Sequence, residues 1–423
     1  MKEYINFLCL VFTFLIYNLH SQNCANCRQS SLNYYKYEEY DKAKEYIDFC
    51  ITCEKNKKDP RVWYYRGLIY QAIHVNKKYK HLDEEAAEKA FDAFKKALLF
   101  NFKNPELQAL DLENKPEDLL KFIEAIRNTK TSYTDIEISI DILQNQYPVL
   151  ANIFVNKGIE SYQNKKEYEK ALKYFQNSLF VSSLSGKVDT PVIYYAGLSA
   201  YKAKKFKEAK EFFQLAIKLN YGPTDEDKAN LYYFTADTYK ELADTQKYVE
   251  TLKKGIEKFP LNNNTLVVEL INYYLQTKQA DKAKEYLELA IKNDPNNPVY
   301  YYALGTLYDA NDKNFQKAEE MYLKSVSLNP NVFDYNYNLG ALYFNKAVDL
   351  YALANEELDN EKYKKLKSEA DEMIKKSIPY LEKAYELDPN NLPTLESLKT
   401  AYYRAGIMDK YEKVKEKIKS LTR

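Results

Sequence analysis

Two cysteine pairs are the residues whose type and spacing could do chemistry. Cys24-Ala25-Asn26-Cys27 and Cys50-Ile51-Thr52-Cys53 lie near one end of a 423-residue chain with five cysteines in all. Four thiolates in two CxxC pairs can hold a tetrahedral zinc ion. In an oxidising compartment the same sulfurs would instead form two bridges. A redox motif of the βαβ kind is not supported by the sequence around either pair. Other chemistry-bearing residues are sparse. Beyond His20 the only histidines are His74 and His81, with Lys77, Lys78 and Lys80 between them, which reads as a surface loop rather than a metal site. No phosphate-binding glycine loop, nucleophile elbow or HExxH occurs. The chain therefore reads as non-enzymatic, with no cofactor beyond the zinc alternative.

The elements that position these cysteines are set by a recurring phrase. An aromatic, a small residue and another aromatic are followed by an alanine, a bulky apolar residue and a second small residue. Tyr301-Leu304-Gly305-Tyr308 with Ala318-Tyr322-Ser325-Pro330 is the clearest copy. The opening small residue recurs at Gly158, Gly197, Ala236, Ile271 (degenerate), Gly305 and Gly340, 34 to 39 residues apart. Upstream copies centre on Gly67 and on Ala43-Ile47-Cys50, and a last one begins at Leu395. Spacings of three, four and seven put the landmarks on one helical stripe. Proline after the second segment stops the helix, because it lacks an N–H and biases its predecessor away from α. With 9 glycines and no Asn-Gly hairpin turn, sheet is disfavoured.

About nine copies in phase, several closed by Asp-Pro-Asn or Asn-Pro-Asn, resemble the tetratricopeptide repeat of an exported, bacterial-type protein. The resemblance covers most of residues 24–423, with a gap near 103–147. It implies an all-α, right-handed superhelical solenoid of antiparallel helix pairs, in which each repeat buries its apolar face on its neighbours.

Within the first hairpin the turn falls near Glu38 and Glu39. Cys24 and Cys53 are equidistant from it, as are Cys27 and Cys50, so all four sulfurs should converge at the open end of the hairpin. The compartment weighs on the choice of chemistry. Lys2 precedes an apolar run of about 13 residues, and Ser21 offers a small residue before Gln22. Residues 1–21 thus read as a signal peptide, too short to span a bilayer, although retention as an anchor stays open. Export to the periplasm, cell envelope or medium favours two bridges, with Cys24–Cys53 and Cys27–Cys50 the preferred pairing over local CxxC bridges. A thiol-based zinc or redox module is the alternative.

In the family that the phrase resembles, first helices line a concave groove, and the residue three before the landmark points into it. Here those residues are Tyr64, Val155, Tyr194, Tyr233, Val268, Tyr302 and Tyr337. The tyrosines offer large area and a polar tip to an extended peptide or an inserted helix. Many of the 42 tyrosines must equally serve to fill space between repeats. Tyr201, Asp237, Asn272, Thr306 and Asp309 are further groove positions. The lysine, arginine and asparagine clamp of chaperone-tail binders is absent. Net charge is +1, from 62 basic and 61 acidic residues interspersed, so a nucleic-acid partner is disfavoured. No second long apolar run occurs, and no bulk membrane domain is expected.

The organisation follows: 22–102 carry N-terminal repeats, 103–147 a divergent helical joint punctuated by Pro105, Pro116 and Pro148, and 148–423 a more regular array. Residues 71–89 are a small insertion. Residues 345–376 read as two lengthened amphipathic helices projecting as a hairpin. The expected function is a scaffold that binds a protein or peptide in the groove. The second alternative is an envelope component that contacts partners through the 345–376 hairpin.

Overall fold

A computed structural model describes residues 24–422 apart from 113, 185 and 261–263. The expected signal peptide, residues 1–21, lies outside them. Among the described residues all regular structure is helical, apart from an isolated bridge between Phe102 and Tyr133.

The helices come in pairs. In the unit that ends at Tyr221 they are α1 Cys27–Lys36 with α2 Tyr40–Cys50, and α3 Pro60–Val75 with α4 Ala86–Asn101. Three unpaired pieces follow: α5 Pro105–Gln108, α6 Pro116–Arg127 and α7 Ile136–Asp141. Two further pairs close the unit: α8 Tyr147–Ile159 with α9 Tyr168–Leu184, and α10 Thr190–Lys202 with α11 Phe206–Lys218. The unit from Gly222 holds α12 Asp225–Glu241 with α13 Thr245–Lys258, α14 Asn264–Gln276 with α15 Ala280–Asn293, and α16 Pro298–Ala310 with α17 Phe315–Leu328. It ends with α18 Phe333–Glu356 paired to α19 Asn360–Leu387, and α20 Leu392–Arg404 paired to α21 Met408–Leu421.

The landmark residues explain why the pairs close. A Cβ on Gly305 would meet the Tyr322 ring at 2.7 Å, and one on Gly197 would meet Phe213 at the same distance. The small residue of the first helix is the socket for the bulky residue of the second, so the two helices approach to full packing density. Turns and caps are equally local. Several first helices open on an Asx cap, as where Asn297 accepts from the Val299 N–H at 3.1 Å with Pro298 already in helical φ. Left-handed residues turn several first helices into their partners, among them Lys204, Ala243, Lys278 and Lys313.

Residues 103–147 hold α5, α6 and α7, and their Phe122, Ala125, Ile138 and Ile142 share one core with Phe94, Phe102 and Phe154; the chain divides into two compact units at Tyr221/Gly222. A π turn over Ile142–Gln146 links α7 to α8, and Pro148 sits in the first turn of α8, where its missing N–H costs no helical bond. The lengthened hairpin is present: α18 and α19 pack along each other, with Ala347, Ala354, Ala370 and Ile374 buried between them.

Candidate functional site

The five tyrosines named from sequence all lie on first helices, and all are half-buried. In the first unit the Tyr64 hydroxyl donates to Asp141 at 2.8 Å, which ties α3 to α7. Burial, then this bond, raises the Tyr64 pKa. Tyr194 lies against Tyr221, with ring centroids 5.0 Å apart, and against Phe213. Both residues thus help to hold their unit together while keeping part of their surface in water.

In the second unit Tyr233 sits on α12 beside Phe234, and burial, with Asp237 and Glu269, raises its pKa. Tyr302 on α16 packs 5.0 Å from Tyr335, and its hydroxyl accepts from the Asn338 amide at 3.0 Å, joining α16 to α18. Tyr337 stacks on Phe333 and borders the cluster around Leu381 and Leu398. The structure brings Tyr302 into one neighbourhood with Thr306 and Tyr322, whose hydroxyl donates to the Thr306 oxygen at 3.4 Å. Val268, Leu275 and Val299, on the first helices α14 and α16, are 37%, 39% and 54% exposed. Asp309, one helical stripe further along α16, is half-buried, and burial raises its pKa while Lys313 acts the other way.

A second set of tyrosines makes bonds that the sequence reading did not anticipate. Tyr70, Tyr308 and Tyr343 each stand three residues after a landmark glycine. Each donates its hydroxyl back to a carboxylate on the preceding second helix: Tyr70 to Asp48 at 2.7 Å, Tyr308 to Glu288 at 3.3 Å and Tyr343 to Glu319 at 2.7 Å. Tyr402 does the same to Glu382 at 2.7 Å. A lysine completes several of these clamps, as where Lys410 pairs with Glu382 at 2.6 Å and lies over the Tyr402 ring. The signal was readable: an aromatic three after the landmark, and an acid 20 to 24 residues before it.

At the N-terminal end the sulfurs pair Cys24–Cys53 and Cys27–Cys50, with Cα atoms 6.0 and 5.6 Å apart. Cys27 and Cys50 are buried. Asn56 donates its amide to the Cys24 carbonyl at 3.2 Å and to the Cys27 sulfur at 3.3 Å, which fixes the segment after the bridges. His74 is half-buried beside Lys157 and Glu88, and burial lowers its pKa.

Helix pairs of this length, closed by a small residue seated against a bulky one and stacked through neighbour-to-neighbour clamps, are the architecture of tetratricopeptide repeats. Family models for that repeat match residues 272–297 and 286–320. Several solved structures are similar. A TPR repeats protein from Bacteroides fragilis is 26% identical, over 60% of this chain and 98% of its own, with a TM-score of 0.30. MamA protein is 21% identical over 45% and 89%, with a TM-score of 0.35. YrrB, described as a TPR protein with an unusual peptide-binding site, is 21% identical over 46% and 93%, with a TM-score of 0.33. No curated protein matches the sequence. The class is that of protein-interaction scaffolds, whose members are typically non-catalytic. Among the described residues no helix is long and apolar enough to cross a membrane.

Proposed function

We propose that this chain is a non-enzymatic scaffold that holds an extended peptide or a helix of another protein along the first-helix face of a unit, with Tyr233, Tyr302 and Tyr337 as anchors on the second unit and Tyr64 and Tyr194 as those of the first. The observation that carries this reading is the exposure of Val268, Leu275 and Val299 on the first helices that lie between and beside those tyrosines. Apolar side chains left in water beside half-buried rings are the composition of a binding surface's centre. Export to an oxidising compartment is part of the same reading and is supported by the two bridges. The test is a selection of short random displayed peptides on the intact chain. Tyr233→Ala and Tyr302→Ala should each weaken the selected peptides by roughly 30-fold, the loss of an aromatic anchor worth about 2 kcal/mol. Helix content by circular dichroism should be unchanged. Peptides that bind both variants as tightly as the parent chain would remove this face from the reading.

A second contact mode rests on its own observation. At the tip of the α18–α19 hairpin Leu358 is 99% exposed, with Leu353 and Val348 also half in water. A partner that docks there would be lost on Leu353→Asp/Leu358→Asp and kept on Tyr302→Ala.

A further inference from the structure

Asp309 is in the wrong electrostatic place for a carboxylate. It lies in the last turn of α16, where the exposed carbonyls carry negative partial charge and a cation is favoured. It is half-buried, and among the described residues no side chain or backbone group gives it a hydrogen bond or an ion pair. Four other acids of this unit are provided for: Glu288, Glu319 and Glu382 accept from tyrosines, and Asp312 takes the Lys284 ammonium at 2.6 Å. Burial raises the Asp309 pKa, whereas Asp118 and Glu160 are held low by their partners.

Its surroundings say what the missing partner is. Tyr302, Thr306 and Asp309 follow at spacings of four and three, so they share one stripe of α16. The stripe offers an aromatic ring, a hydroxyl oxygen and a carboxylate, and Asp334 adds a second negative charge beside Tyr302. Ring faces and carboxylate oxygens together attract an ammonium or guanidinium and repel an acid. Lys313, in the left-handed turn after α16, lies near enough to act against the rise in the Asp309 pKa but makes no ion pair with it.

We propose that Asp309, with Tyr302 and Thr306, is the cation-accepting subsite of the first-helix face, and that it takes the side chain of a lysine or arginine in the bound partner segment. This rests on the peptide-binding reading above and specifies the partner as a basic one. It also accounts for an unfavourable carboxylate that the fold itself does not use.

The experiment is the same displayed-peptide selection, run in parallel on the intact parent chain and on Asp309→Asn, which keeps shape and removes charge. The expected result is a lysine or arginine fixed at one position of the peptides selected by the parent chain. Those peptides should bind Asp309→Asn about tenfold more weakly, one decade of affinity for a partly desolvated charge pair. Replacing that basic residue by norleucine should cost the parent chain the same factor and the variant almost nothing. The variant should melt no lower than the parent, since among the described residues the lost carboxylate makes no hydrogen bond or ion pair. Peptides without a basic position, or with one whose binding ignores Asp309→Asn, would overturn the subsite. If those peptides still lost affinity on Tyr233→Ala and Tyr302→Ala, the groove itself would stand. Peptides indifferent to all three variants, or no selected peptides at all, would overturn both.

Discussion

Reduction of the two N-terminal bridges should melt one helix pair and leave the rest standing. The inner bridge spans a sequence separation of 23 residues, so removing it returns about 3.4 kcal/mol of chain entropy to the open hairpin. The outer bridge spans 29, but with the inner one closed it constrains only a few residues at each end and adds about 2 kcal/mol. Together they hold α1 and α2 closed by about 5 kcal/mol, between three and four decades in the opening equilibrium. Measured losses fall short of this entropic value when native strain or denatured-state structure intervenes, so at least a hundredfold is expected. Amide exchange by mass spectrometry, on the intact chain with and without reductant, reads it directly. Protection in α1 and α2 should collapse, with a graded loss in α3 through the Arg66–Asp48 and Tyr70–Asp48 contacts. From α8 onward it should be unchanged, because repeats couple to nearest neighbours. Complete reduction, confirmed by mass, with unaltered exchange in α1 and α2 would refute the reasoning. Stoichiometric zinc on the reduced chain would instead favour the thiolate alternative.

Three further expectations concern the frame. Ala243 sits at φ 58° in the turn after α12, so Ala243→Gly should stabilise the chain by about 1 kcal/mol in denaturant unfolding, because glycine adopts this region without a Cβ clash. Gly197→Ala would place a methyl 2.7 Å from the Phe213 ring and should cost about 1–3 kcal/mol, read as a lower midpoint in the same unfolding experiment. Burial, then bonding to a carboxylate, raises the pKa of Tyr70, Tyr343 and Tyr402 above the tyrosine value of the unfolded chain. Above about pH 10 the unfolded chain releases those protons while the folded one keeps them, so melting temperature should fall as pH rises past that point. A flat melting temperature up to pH 11 would contradict the clamps.

The small and bulky landmarks were legible because their spacing is set by helix geometry alone. Gly305 and Tyr322 stand 17 residues apart in sequence, and once two helices are assumed they can only face each other. The cysteine pairing was legible for the same reason, since residues equidistant from a turn must meet. What was hidden depends on the neighbour. Tyr343 meets Glu319 only because one pair is rotated on the next by a particular angle, which no residue within a single copy states. The surface tyrosines were half legible. Their face follows from register, while the hydroxyl bonds of Tyr64 to Asp141 and of Tyr302 to Asn338 do not.

The backward reach of the tyrosine clamps gives the chain a direction. Tyr70, Tyr308, Tyr343 and Tyr402 each lock onto an acid that precedes them by 20 to 24 residues. A chain made from its N-terminus therefore never has to wait for a clamp's partner. When each tyrosine emerges, the carboxylate it needs has already been made. Contacts this short in sequence let each new hairpin zip onto the last as it is completed. Growth of the polypeptide and growth of the fold then run at the same pace, and little apolar surface need wait uncovered between one repeat and the next.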